Sequence, residues 1–182
     1  IWDEAKCVSP GRMAAATRQP KDSPLMPEIT SAAIIDALLA IVGAKGVLHG
    51  EDDTAGFLSD WHNRYHGKAH AVVLPETTDQ VSAIMAYADK NNIIVVPQGG
   101  NTGFMGGATP DDTGQSIVLS LKRMNKIREI DSQNMSMTVE AGCVLQNLQD
   151  RADDAGLYFP LNLAAKGSCT IGGNLGTNAG GL

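Results

Sequence analysis

The chain has 182 residues, of which 43% are hydrophobic, so it is long enough for one domain with its own core. Its formal net charge of −6 argues against a general affinity for nucleic acid or anionic membranes, because both favour clustered Lys and Arg. No apolar run reaches the roughly 18 residues that span a bilayer, and no signal-peptide pattern is visible. We therefore expect a cytoplasmic protein, or one of an organelle interior, that binds a small molecule.

The first third of the chain divides into two segments. Residues 1–28 are rich in proline and have little apolar periodicity, which predicts a disordered or poorly ordered arm. Residues 29–70 form a predicted N-terminal helical segment. Its first helix is capped at Thr30 or Ser31 and ends at Gly43, and a second, short helix covers Asp52–Trp61.

A strand–helix–strand unit follows. A continuous apolar run from Ala71 stops at Pro75, as a buried strand would. Thr77 or Thr78 can cap the next helix, and Ile93–Val96 predicts a second buried strand. This spacing favours a βαβ unit with parallel strands and a right-handed crossover.

The second half predicts a different type of sheet. Strands are expected at Ile117–Leu121, Ile127–Ile130 and Met137–Glu140, arranged as antiparallel sheet. A helix over Val144–Ala155 should stop at Gly156. The fold class is therefore α+β, with a βαβ start followed by mixed or antiparallel sheet.

The segment Pro97–Gly107, with sequence PQGGNTGFMGG, leaves the second predicted strand. Its glycines can adopt positive φ, so that successive backbone N–H groups converge, and the missing Cβ atoms allow close approach to a bulky ligand. Asn101 and Thr102 add side-chain donors. The segment therefore predicts an anion site, whereas the alternative is a tight loop whose glycines serve geometry alone.

Two common nucleotide loops do not fit the chain. A Walker loop needs Gly-Lys-Ser or Gly-Lys-Thr, which does not occur, and a Rossmann loop should run into a helix instead of the turn after Thr109. A second glycine-rich segment covers Gly167–Gly181. A ligand that uses both segments would have the length of a dinucleotide.

At this point the chain resembles a known flavoprotein family, the one that includes vanillyl-alcohol oxidase and p-cresol methylhydroxylase. The resemblance begins near Ala71 and rests on four segments in this order: VVLPETTDQV, IIVVPQGGNTGFMGG, MTVEAGCVLQNLQ and TIGGNLGTNAGG. It implies that residues 71–182 are an FAD-binding domain of the p-cresol methylhydroxylase type. It also implies that the domain is incomplete here, since the family's domain continues beyond Leu182.

The resemblance assigns cofactor-binding roles to two sets of residues. The set expected at the FAD pyrophosphate is Pro97, Gln98, Gly99, Gly100, Asn101, Thr102, Gly103, Gly106 and Gly107. The set expected at the ribityl chain and isoalloxazine is Ser168, Thr170, Gly172, Gly173, Asn174, Thr177 and Asn178. Covalently flavinylated members carry His where Asn101 stands, and Cys169 is one residue out of step with a second tether, so noncovalent FAD is expected.

Within the family, the segments PQGGNTG and GSCTIGGNLGTNAGG are most similar to those of the D-2-hydroxyglutarate and D-lactate dehydrogenase branch. It implies oxidation of a D-2-hydroxy acid to the 2-oxo acid, with hydride transfer to flavin and an unknown electron acceptor. The substrate would bind a missing C-terminal domain, so no catalytic residue is assigned and this portion should be inactive alone. The alternatives are another FAD-dependent oxidase with a sugar or alcohol substrate, or a noncatalytic nucleotide-binding module.

The remaining chemically interesting side chains have simpler interpretations. His62, His66 and His70 recur every four residues, as ligands on a helix would, but Gly67 interrupts that helix, and we expect no metal site. The three cysteines are widely spaced and are expected to be reduced thiols. Glu140 could face the adenine or merely end a strand.

Overall fold

A computed structural model describes residues 29–180, so the predicted arm at 1–28 lies outside the described residues. Helix α1, Ser31–Val42, begins as predicted, because the Thr30 hydroxyl accepts a hydrogen bond from the backbone N–H of Ala33 at 3.3 Å. It ends at Gly43, whose φ of 76° lets its N–H donate to the carbonyl of Leu39. Both ends of this helix are confirmed.

The second predicted helix is shorter than expected. Helix α2 covers only Glu51–Thr54, and a 3₁₀ turn over Ala55–Phe57 follows it. The chain cannot continue as a helix to Trp61, because the Asp60 carboxylate accepts backbone N–H groups further along and folds a turn. The prediction of a helix over Asp52–Trp61 is therefore correct only for its first half.

Within residues 29–180, the main sheet has four strands in the order β1-β2-β4-β3. The strands are β1 Val47–Leu48, β2 Ala71–Val73, β3 Ile94–Gln98 and β4 Ser116–Ser120. Strand β1 is antiparallel to β2, whereas β2 and β3 both lie parallel to β4. Helix α3, Thr78–Lys90, connects β2 to β3 and is capped by the Thr77 hydroxyl as predicted.

Two predictions for this sheet are wrong. Strand β4 was expected in an antiparallel half, but it lies between β2 and β3 and is parallel to both. All five of its residues are buried, as in the centre of a parallel sheet. Strand β3 was expected to be buried, but it lies at an edge, where Ile94 is 52% exposed. Pro97 fits this position, because proline in a sheet is confined mainly to edge strands.

The core lies on both faces of this sheet. On one face, Leu38 of α1 and Ile84 of α3 pack with Ile117 of β4, and all three are fully buried. On the other face, Val72 and Val118 pack against partly buried residues that include Phe57 and Leu58. Residues 29–70 therefore contribute a helix and a strand to the same core as the rest of the chain.

The remaining elements follow the main sheet. Strands β5, Ile127–Asp131, and β6, Ser136–Val139, form the predicted antiparallel pair. Helix α4, Leu145–Asp154, stops before Gly156 (φ 71°), as predicted. The second glycine segment contains a short helix, α5, Ile171–Gly176, where only a loop was expected. Within residues 29–180, no helix is long and apolar enough to cross a membrane.

Candidate functional site

The first glycine segment leaves the carboxyl end of β3 as an irregular loop over residues 99–107. Of its glycines only Gly106 has a positive φ, 71°, so the expectation that they share this conformation is wrong. Asn101 adopts the left-handed conformation instead, with a φ of 54°. The other glycines need a different explanation.

Gly99 and Gly100 are required because the second glycine segment lies directly against them. A Cβ atom at Gly100 would lie 2.1 Å from the carbonyl oxygen of Ser168, and one at Gly99 would lie 2.5 Å from Oγ1 of Thr170. Gly173 also borders Gly99, since its Cα would lie 3.4 Å from that Cβ. The two segments that the sequence singled out are therefore in contact.

The first loop presents unpaired backbone donors. Among residues 29–180, the N–H groups from Gly99 to Ala108 donate no hydrogen bond to another residue, and the next one, of Thr109, donates to Gly106 at 3.0 Å. Exposed donors can be satisfied by water, but a run of them in one loop also suits the oxygens of an anion. The loop can therefore hold a phosphate group.

Several buried side-chain atoms beside the loop also lack a partner in the described part of the chain. They are Oε1 of Gln98, Oγ1 of Thr109, Oγ of Ser120, Oγ1 of Thr170 and Nδ2 of Asn174. Leaving such a group unsatisfied costs about 1–3 kcal/mol. Thr170 and Asn174 are 3% and 6% exposed and come from the second segment. These atoms fit a ligand with hydroxyl and phosphoryl oxygens, such as the ribityl diphosphate part of FAD.

Two predicted site residues use their side chains to shape the loop. Nε2 of Gln98 donates to the carbonyls of Phe57 and Ala108, at 2.9 and 2.8 Å. Nδ2 of Asn101 donates to the carbonyl of Ser59 at 2.8 Å. Their side-chain amides therefore hold the loop in place, and the loop's free donors are its backbone N–H groups.

The segment Phe57–Gly67, which we call the support segment, underlies the first loop and was missed by the sequence analysis. Besides its bonds to Gln98 and Asn101, it places the Tyr65 ring against Gly106, where a Cβ would lie 2.9 Å from the ring. It also contributes an aromatic contact between His62 and Phe104, with ring centroids 4.7 Å apart. An Asp followed by polar residues can indicate such a turn, but does not reveal its partner.

The support segment is folded around Asp60, which is 5% exposed. The Asp60 carboxylate accepts hydrogen bonds from the backbone N–H groups of Arg64 and Tyr65 at 2.6 and 2.7 Å, and a longer one from His62 at 3.3 Å. These bonds, that from Tyr65 first, hold the pKa of Asp60 below its usual value. Asp60 therefore remains ionised inside the turn.

Glu140 directly precedes a residue that binds the second segment. Its carboxylate accepts bonds from the backbone N–H of Lys126 at 2.9 Å and from the Arg128 guanidinium at 3.1 Å. The bond from Lys126, followed by Arg128, lowers the pKa of Glu140. The next residue, Ala141, accepts a bond from the N–H of Gly172 at 2.8 Å. The open question from the sequence thus has a structural answer: the carboxylate binds protein groups at the end of β6.

The other predicted residues of the second segment lie along α5 and its ends. Thr177 donates from its hydroxyl to the carbonyl of Gly173, and Asn178 adopts a φ of 49°. Ser168 is exposed, and Cys169 is buried behind Gly100. The structure thus brings Ser168, Thr170 and Gly173 to the first loop through Gly99 and Gly100.

The three regularly spaced histidines do not converge. His70 is hydrogen-bonded to the Ser31 hydroxyl at 2.8 Å, and Nε2 of His66 lies 3.1 Å from the carbonyl of Asn63. Among residues 29–180, no group of three or more His, Cys, Asp or Glu side chains is arranged to hold a metal ion.

Comparison with known proteins adds sequence evidence to this geometry. The family described as FAD binding domain matches residues 69–182. A protein from rice, Oryza sativa subsp. indica, named "Probable D-2-hydroxyglutarate dehydrogenase, mitochondrial" is 45% identical over 143 residues, which are 79% of this chain and 25% of that protein. The Arabidopsis thaliana "D-2-hydroxyglutarate dehydrogenase, mitochondrial" is 42% identical over 142 residues, 78% of this chain and 25% of its own. The chain thus spans about a quarter of the length of these relatives.

Solved structures agree on the fold. An alkyldihydroxyacetonephosphate synthase matches 86% of this chain and 33% of its own, with a TM-score of 0.74 and 18% identity. A p-cresol methylhydroxylase matches 81% of this chain and 28% of its own, with a TM-score of 0.66 and 24% identity. At these identities the comparison establishes the fold alone, and it confirms the predicted p-cresol methylhydroxylase type.

Proposed function

Since this chain belongs to the FAD-binding domain family, we propose that it is the FAD-binding part of an oxidoreductase acting on a D-2-hydroxy acid. The observation that carries the cofactor half of this proposal is the contact between the two glycine segments at Gly100 and Ser168. One segment supplies a run of unpaired N–H groups and the other supplies buried polar atoms without protein partners.

Each segment has its own part in holding FAD. The first holds the diphosphate through backbone donors of Pro97–Gly107, excluding the proline nitrogen, with Gln98 and Asn101 fixing the loop. The second provides hydrogen bonds to the remainder of the cofactor. Its contributing residues are Ser168, Thr170, Gly172, Gly173, Asn174, Thr177 and Asn178. Neutral donors suffice for a diphosphate, because its charge is spread over several oxygens.

FAD is held noncovalently in this proposal. The side-chain nitrogen of Asn101 is an amide, which is not nucleophilic, and it already donates to Ser59. The Cys169 thiol is 4% exposed, and its backbone lies against Gly100. Acid or heat precipitation of the holoprotein should therefore release FAD into the supernatant, whereas flavin that stays with the pellet would contradict a noncovalent site.

The substrate class comes from the relatives. The rice and Arabidopsis proteins are named for D-2-hydroxyglutarate, and a Schizosaccharomyces pombe relative, 40% identical over 155 residues, is named a putative D-lactate dehydrogenase. When bound, FAD would accept the hydride from the substrate's C2. The residues described here bind and orient the cofactor, and none of them is assigned to removing the hydroxyl proton.

The test uses the purified full-length protein. It should show flavin absorbance, or gain it on addition of FAD, and anaerobic D-2-hydroxyglutarate or D-lactate should bleach that absorbance. The L enantiomers are the matched control and should leave it unchanged. Protein that takes up no flavin would overturn the cofactor assignment. Flavin reduced by sugars or alcohols, or by no substrate at all, would favour the two alternative functions.

The names of the same relatives bear on the compartment. Because the rice and Arabidopsis names include "mitochondrial", we propose a compartment test in place of the expected cytoplasmic location. Fractionation of the source cells, with detection of the native protein by antibody, distinguishes the cytosol from an organelle interior.

A further inference from the structure

We propose that Asp60 is a positioning residue for FAD, which acts by holding the support segment beneath the phosphate-binding loop. The inference rests on the proposed function, because it assigns a role in cofactor affinity to a side chain that does not touch the cofactor loop itself. It was not among the residues that the sequence or the family resemblance indicated.

Asp60 organises the turn in which it lies. The buried carboxylate gathers backbone N–H groups of three residues within a turn of six, and two of these bonds are shorter than 2.8 Å. Hydrogen bonds to an ionised acceptor are shorter and stronger than those between neutral groups. The backbone closes the same turn, because the N–H of Asp60 donates to the carbonyl of Tyr65 at 3.1 Å. Asp60 thus fixes the path of the chain from Ser59 to His66, which pair as an isolated bridge.

Residues of this turn contact the first loop. Ser59, next to Asp60, accepts the bond from Nδ2 of Asn101 across 42 residues of sequence. Asn101 lies in the left-handed conformation, in the middle of the run of free N–H donors. Tyr65, whose N–H is bound by Asp60, places its ring against Gly106 at the far end of that run. The donor run therefore contacts the turn that Asp60 closes at two positions, Asn101 and Gly106.

The test is a double-mutant cycle on the dissociation constant for FAD in the full-length protein, with Asp60→Ala, Asn101→Ala and the double variant. We expect each single change to weaken FAD binding about tenfold or more, because small displacements of converging donors are costly. The double variant should bind FAD no more weakly than the single variant with the lower affinity, since both changes release the same contact. Asp60→Asn keeps one acceptor oxygen and should recover part of the affinity, and it replaces the alanine variant should that fail to fold.

Asp131 offers a matched control. Its carboxylate likewise accepts backbone N–H groups, those of Gln133 and Asn134, but it does so in the β5–β6 turn. Asp131→Ala should leave FAD affinity unchanged. A second readout needs no cofactor: limited proteolysis within residues 99–107 of the apoprotein should be faster in Asp60→Ala and unchanged in Asp131→Ala.

The outcomes separate the two proposals. Additive losses in the cycle, or an equal effect of Asp60→Ala and Asp131→Ala, would overturn the role of Asp60 while leaving FAD binding intact. Failure of the unaltered protein to bind FAD would instead remove the proposed function. In that case the proteolysis comparison alone decides whether Asp60 orders the loop.

Discussion

The two glycine-rich segments touch each other, yet their backbones are bonded in opposite ways. In the first, the N–H groups from Gly99 to Ala108 donate to no residue among the described ones. In the second, Gly172 donates to Ala141, and Asn174 donates to Thr170 within the start of α5. Close packing requires glycine in both segments, at Gly99 and Gly100 in the first and at Gly172 in the second, but only the first segment keeps its run of N–H groups free. The difference indicates that the first segment can bind a ligand through its backbone N–H groups, whereas the second would bind it mainly through side chains such as those of Thr170 and Asn174.

The two segments are also held in place by different kinds of hydrogen bond. The first is held by side chains, since Gln98 and Asn101 reach carbonyls of the support segment. The second is held by backbone bonds to the chain that follows Glu140. A loop held by side chains can keep its own N–H groups free. In a segment held through its backbone, the N–H groups that hold it already donate to protein carbonyls.

The largest effect should come from closing the space between the segments. In Gly100→Ala the new Cβ would lie 2.1 Å from the Ser168 carbonyl, which is backbone and cannot swing away. We expect the segments to separate and FAD affinity to fall by about 2–3 kcal/mol, roughly a hundredfold. Titration of the apoprotein with FAD, followed by flavin fluorescence, measures this loss.

Gly56→Ala is the matched control for that substitution. No atom lies within 4 Å of a Cβ at Gly56, which is in the 3₁₀ turn before the support segment. Its FAD affinity should equal that of the unaltered protein. Gly100→Ala with full affinity would mean that the contact between the two segments is not needed for binding.

A smaller effect should distinguish ligand-binding polar atoms from supporting ones. Oγ1 of Thr170 is buried and has no partner among residues 29–180. Thr170→Val removes this hydroxyl at nearly constant volume, so it should leave the apoprotein as stable or slightly more stable. If the hydroxyl binds FAD, affinity should fall by about 0.5–1.5 kcal/mol. Urea unfolding without FAD and FAD titration measure the two quantities separately.

Thr54→Val is the opposite case. The Thr54 hydroxyl donates to the carbonyl of Gly50 at 2.9 Å, so its loss should lower apoprotein stability and leave FAD affinity unchanged. Equal behaviour of the two variants would show that the unpartnered hydroxyl of Thr170 has no special relation to the cofactor.

The sequence predicted those parts of the fold that depend on neighbouring residues. The caps of α1 at Thr30 and Gly43 involve atoms within four residues of each other. Both glycine segments were recognised because each is a continuous glycine-rich stretch of the sequence. By contrast, the predicted antiparallel arrangement of β4 is wrong, because β4 inserts between β2 and β3 through pairing that no local pattern specifies.

The candidate site was predictable to a similar extent. The residues of both segments could be named, but Gly99 and Gly100 were predicted to provide positive φ and close approach to a ligand, whereas the structure uses them for close approach to the second segment. The support segment could not be found, because its bond from Asn101 to Ser59 joins residues 42 positions apart. Asp60 has the sequence signal of an ordinary turn, and only the fold places that turn beneath the loop.

The smallest predicted effect concerns the foundation of the second segment and depends on pH. The pKa of Glu140 is lowered in the folded protein, so its contribution to stability is present above the unfolded value of about 4.3 and is lost as pH falls through the lower folded value. Glu140→Gln should therefore reduce the urea midpoint at pH 7, and the gap from the unaltered protein should narrow as the pH falls below the unfolded value.

Glu129→Gln, an exposed change on the neighbouring strand, is the control and should leave the midpoint unchanged at every pH. A gap for Glu140→Gln that stays constant down to pH 3 would mean that the charge of the carboxylate is irrelevant and that only its shape matters. If FAD affinity at pH 7 fell as far in Glu140→Gln as in Gly100→Ala, the second segment would depend on Glu140 to bind FAD. Its foundation would then be as closely coupled to the ligand as the first loop, and the contrast between the two segments would fail.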